Sequence, residues 1–252
     1  MKTTVQAVPG KRVPMTGLRK TALVAGLCYV ITFLTSIPTL ALYGSVRKSG
    51  FILGTGSIAA TQWGAFIEVL LALSGIATAV VLYPVVKRQN QAAALGFVTS
   101  RLLEGAMIFV GILSLLTVIT LRQHTEGTDP TSLVTTGKSL VALHDWTFLL
   151  GQGLMPGVNA LLLGSLLYRS RLVPRAIPLL GLIGAPLLLA SDAATIFGIW
   201  DQVSSAAFVC ALPVALWEFS VGVWMAVKGF TPSPITAATA APITAEKALI
   251  PA

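Results

Sequence analysis

Long apolar runs, each about the length of a membrane crossing, alternate along this chain with short polar turns. The runs cover residues 21–43, 58–86, 95–121, 140–168, 176–199 and 205–227. About 20 helical residues span the ~30 Å hydrocarbon core of a bilayer, so the pattern predicts six transmembrane helices. The first run follows a basic segment (Lys2, Lys11, Arg12, Arg19, Lys20) as a secretory signal would, but it exceeds the roughly 7–15 residues of a signal core and reads as an uncleaved span. Pro38 is a candidate bend within it. Residues 122–139, rich in Thr, Ser and Gly without an apolar period, read as a flexible external loop. The expected organisation is a basic cytoplasmic tail at 1–18, a six-helix transmembrane domain at 19–229 and a disordered cytoplasmic tail at 230–252, low in complexity from Thr231 onward. The fold class is all-α, a polytopic membrane bundle.

Composition agrees with this pattern. Hydrophobic residues make up 55% of the 252 and charged residues 10%, whereas a soluble domain carries about 25% charge. The net charge of +8 points to membrane edges and not to nucleic acid, because the basic residues sit in short turns with no basic stripe and no interleaved aromatics. Twelve Lys and Arg flank the spans on the side of the termini and four (Arg47, Lys48, Arg122, Lys138) on the other, which predicts cytoplasmic termini. Cys28 and Cys210 lie in apolar runs and read as small buried hydrophobes.

Against this apolar background, the charges inside the spans carry the candidate chemistry. Span three holds Arg101 and Glu104, three residues apart and so on one helical face. A charge at mid-bilayer costs on the order of 3 kcal/mol on insertion scales, so such groups pair with one another or face water. Measured from the cytoplasmic ends at ~1.5 Å per residue, Arg101 lies ~10 Å deep, Glu104 ~15 Å and Glu218 of span six ~14 Å. These three are expected to form one interhelical cluster, either a functional centre or a buried ionic staple. Glu68 and Asp192, at ~25 Å, form an expected outer acidic layer with no basic partner at that depth, serving a proton relay or facing a water-filled vestibule. His144 and Asp145 mark the outer mouth, and Gln152 and Asn159 add neutral polar groups to span four.

Enzyme motifs are missing. Two histidines, His124 and His144, cannot make a three-histidine metal site, and HExxH, GxSxG, GxxxxGK[ST] and a strand-borne GxGxxG are all absent. The intramembrane serines (Ser74, Ser100, Ser114, Ser165, Ser191) read as backbone-bonding groups. No catalytic residue, cofactor or metal is expected. Gly153 with Gly157, and Gly181 with Ala185, predict close helix packing. The five tryptophans, mostly near span ends, read as an aromatic belt, and mid-span Pro156, Pro186 and Pro213 as kinks.

Short motifs point to a family. Arg19-Lys-Thr-Ala22 at the start of span one, Arg101-Leu-Leu-Glu104, Leu150-Gly-Gln152, Tyr168-Arg-Ser170 and Trp217-Glu218 resemble the bacterial multi-pass membrane family catalogued as domain of unknown function 4386, over roughly residues 16–230. The resemblance implies a bacterial inner-membrane protein and treats Arg101, Glu104, Gln152 and Glu218 as one set; it implies no reaction or substrate. Two function classes stay open: small-molecule or proton-coupled transport through a polar interior, and a non-catalytic module that senses, scaffolds or binds lipid. The expected partners are the bilayer and, for a transporter, a small molecule or ion; the sequence does not fix an oligomeric state.

Overall fold

A computed structural model describes residues 15–124, 127 and 129–240. Six helices or helix pairs in it are long and apolar enough to cross a membrane. They are α1 (Gly17–Leu42), α2 (Ile58–Val86), α3 (Gln91–Gln123), the pair α4 (Pro130–Phe148) and α5 (Met155–Ser170), α6 (Ala176–Ile196) and α7 (Ser205–Val227); a short α8 (Pro234–Ala240) follows. Residues 1–14, with Lys2, Lys11 and Arg12, and residues 241–252 lie outside the described part of the chain.

Local chemistry fixes where the helices begin. Thr16, Ser57, Asn90, Asp129 and Ser204 each accept a bond from the backbone N–H three residues on, satisfying a donor that the first helical turn leaves free. Each span packs against its neighbours in sequence, and α1 also packs against α7. The spans therefore close into a ring, in which α3 faces α7 across the centre. Side chains such as Leu34, Leu113, Ile183 and Phe208 point outward and are exposed, as lipid-facing residues would be.

Glycines set the closest approaches. A Cβ on Gly26 would lie 2.4 Å from the Ala226 backbone nitrogen, so the α1–α7 seam that shuts the ring requires glycine there. Gly157 and Gly181, expected to mediate packing, meet Leu189 and Trp217 of adjoining spans. Trp217 is fully buried against Gly181 and departs from the expected belt, whereas Trp63 and Trp146 are exposed.

Two loop expectations change. Residues 130–139 are helical, not a flexible loop: Asp129 caps the helix, Pro130 occupies its first turn, and Leu133 and Gly137 are buried. Their Thr and Ser side chains return bonds to carbonyls one turn back, which lets a polar sequence stay helical. The fourth span is thus continuous over Pro130–Ser170, 41 residues, about twice the hydrocarbon thickness at ~1.5 Å per residue. The first part of the tail is also placed, and not disordered as expected. Thr231 donates from its backbone to Leu172 and from its hydroxyl to Arg171, and the Ser233 hydroxyl donates to the Ser170 carbonyl.

Arginines brace both ends of the ring. Arg19 donates to the carbonyls of Met225, Ala226 and Val227 at the α7 C-terminus, where partial negative charge collects. At the far end, Arg122 donates to the carbonyls of Gly54, Thr55 and Gly56 and lies over the Phe51 ring. Gly54 and Gly56 have φ of +113° and +79°, a backbone that only glycine adopts without strain.

Candidate functional site

Span three carries the first buried polar layer. Arg101 Nη1 donates to both carboxylate oxygens of Glu104, at 3.1 and 2.9 Å, as their spacing of three along one helix allows. Nη2 reaches across the ring to Glu218 Oε1 at 2.5 Å. The planar fork of the guanidinium directs donors in fixed positions to two carboxylates on different helices at once. Glu104 also accepts from Asn159 Nδ2 of α5 at 2.7 Å. The guanidinium carbon lies 5.3 Å from the Tyr29 ring centroid on α1 and 5.8 Å from that of Phe97. Four spans thus converge on Arg101, which is 2% exposed. The expected cluster of Arg101, Glu104 and Glu218 is assembled, and Asn159 joins it.

The outer layer is arranged otherwise than the sequence suggested. Glu68, 1% exposed, accepts from the Tyr43 hydroxyl at 2.8 Å and from Gln152 Nε2 at 3.1 Å. His144 Nε2 lies 3.7 Å from the same carboxylate, and His144 Nδ1 lies 3.5 Å from Asp145 Oδ1. Asp145 in turn pairs with Arg47 at 2.9 Å. Glu68 therefore has an imidazole neighbour, contrary to the expectation of no basic partner. The reason lies in tertiary structure: His144 is buried inside the bundle, 2% exposed, because α4 begins at Pro130 and several helical turns precede it.

Gln152 belongs to this outer group and not to the set containing Arg101. It sits in a π-helical stretch, Leu149–Leu154, between α4 and α5. Pro156 follows within a turn, cannot donate to the carbonyl four residues before it, and favours a widened turn in its place. Widening rotates the side chains of α4 relative to those of α5. As a result His144 and Gln152 both face Glu68 while Asn159 faces Glu104. Asp192, the other expected member of the outer layer, stands apart. It packs on Gly153, where a Cβ would lie 3.1 Å from its Oδ1, and it has no hydrogen-bond partner among the described residues.

Apolar side chains fill the level between the two layers. Glu68 and Gly75, which lies beside Arg101, are seven residues apart on α2, a separation of ~10 Å along the axis. Ala72 and Ile108 pack in that interval, and Ile76 closes on Gly105, where a Cβ would meet its Cδ1 at 2.9 Å. Of the participants the sequence did not single out, Tyr43 and Tyr29 are the important ones. Nothing local distinguishes a tyrosine at a span end or within an apolar run from an interfacial anchor.

Six apolar helices enclosing buried charges define a multi-pass helical membrane protein. The chain belongs to the family described as Domain of unknown function (DUF4386), which matches residues 24–229, so the resemblance seen in its short motifs is borne out. No curated protein and no solved structure matches it.

Proposed function

We propose that the chain is a non-catalytic binding and sensing module of a bacterial cytoplasmic membrane, with both termini in the cytoplasm. The excess of Lys and Arg on the side of the termini supports that orientation. The observation that carries the functional reading is the pairing and burial of Arg101 within the inner cluster. Arg101 engages two carboxylates from opposite sides of the ring at 2% exposure, and the apolar level of Ala72, Ile76 and Ile108 separates it from Glu68. Such a cluster fixes helix register and holds the ring closed.

Proton-coupled transport is the second reading, and one feature favours it. Asp145, His144 and Glu68 form a file of titratable groups from the outer face to a buried acid, with gaps of 3.5 and 3.7 Å. An imidazole can take a proton on one ring nitrogen and release another from the second. Purified protein in liposomes loaded with a pH-sensitive dye separates the two. Proton flux equal to that of empty liposomes under an imposed gradient is the expected result. Flux that Glu68→Gln abolishes would replace the module reading with transport. Uptake profiling of a deletion strain complemented with Glu68→Gln and Glu104→Gln extends the test to solutes.

A further inference from the structure

Three of the four cations that flank the spans on the far side converge on one cavity. It has a volume of about 160 Å³ and lies between the loop after α1 and the exposed half of α4. Arg47, Lys48 and Lys138 stand around it, and among the described residues Asp145 is its only acidic lining residue. Along α4, Val134, Lys138, Val141 and Asp145 recur at three- and four-residue spacing and form a single wall. Ile52 and Val118 add apolar surface below the charges.

The charge balance is uneven. Asp145 is already paired with Arg47, whereas the side chains of Lys48 and Lys138 have no hydrogen-bond or ion-pair partner among the described residues and both residues are exposed. Arg122, the fourth far-side cation, is occupied by the Gly54–Thr55–Gly56 carbonyls. Two lysines and the remaining donors of an arginine, set over an apolar floor at a membrane edge, fit a phosphate group that carries an apolar body. The lysines supply charge, and the guanidinium supplies directed donors.

We propose that this cavity binds the phosphate group of an anionic ligand, drawn either from a lipid headgroup of the far leaflet or from a soluble phosphate. This assigns a ligand class to the module proposed above and rests on that reading. The occupant would also compete with Asp145 for Arg47, and Asp145 touches His144, so binding at the rim bears directly on the buried Glu68 group.

The full-length protein in neutral detergent provides the test, with inorganic phosphate and phosphatidylglycerol titrated separately and thermal midpoint and retained lipid as readouts. The midpoint of the natural protein should rise with at least one of them, and added salt should weaken the effect. Lys48→Gln/Lys138→Gln should need about tenfold more of the same probe, with its midpoint unchanged when no probe is present. Lys48→Arg/Lys138→Arg should respond like the natural protein. A response to phosphatidylglycerol alone assigns the lipid source, and a response to inorganic phosphate assigns the soluble one. No response to either probe, or an equal response in the glutamine variant, overturns the site. The liposome flux measurement is independent: proton flux would remove the module reading and leave a positive binding result standing.

Discussion

Replacing Arg101 by Met tests whether the inner cluster is a staple. In the intact cluster, each ion pair at ~4 Å charge separation is worth about 4 kcal/mol at an effective dielectric constant of 20. Desolvating three ions costs several kcal/mol each, so the complete cluster contributes little net stability. Removing only the guanidinium is different, because Glu104 and Glu218 both approach it within 3.1 Å and would be left facing each other. Breaking a buried pair from one side costs about 3–5 kcal/mol. At roughly 2–4 °C per kcal/mol for a chain near this size, a loss of about 4 kcal/mol lowers the thermal midpoint by about 8–16 °C. The assay is the fraction of protein that survives heating and still elutes as a folded species on size-exclusion chromatography. The neutral triple variant Arg101→Met/Glu104→Gln/Glu218→Gln should recover most of the loss, since no unpaired charge remains. A single variant within about 2 °C of the natural protein, or a triple variant no better than the single, would refute the reasoning.

Three further outcomes follow from the same geometry. Gly26→Ala forces Cβ against the α7 backbone and should cost at least the roughly 1–3 kcal/mol of an overpacked core. Gly96→Ala meets only Leu162 methyls at 3.4 Å or more and should shift the midpoint little; equal effects in the two variants would exclude the α1–α7 seam as the closing contact. Glu68→Gln replaces one of the two carboxylate oxygens that accept from Tyr43 and Gln152 with a donating NH2 group and should destabilise, whereas Asp192→Asn discards a buried carboxylate without a partner among the described residues and should be neutral or stabilising in the same melting assay. Arg122→Ala removes three bonds to carbonyls, and faster hydrogen exchange at residues 53–57 would report the loosened turn; unchanged exchange there would count against the brace.

The sequence alone determined the class of protein, the six spans and the partners of Arg101. Long apolar runs have no other use at this length, and a guanidinium three residues from a carboxylate on one helix has a partner before any tertiary contact forms. Glu218 was legible because depth in a bilayer is set by residue count, so matching depths on two spans can be compared without coordinates. The outer group was not legible. Its make-up depends on the helical start at Asp129 and Pro130 and on the π-helical stretch before Pro156, which together decide which way His144, Gln152 and Asn159 face. Ring closure between α1 and α7 was hidden as well, since Gly26 and Gly222 are ordinary glycines until two backbones meet there. Periodicity and hydropathy report how far each residue lies along its own helix; rotation about the axis, and which helices become neighbours, are settled only when the spans pack.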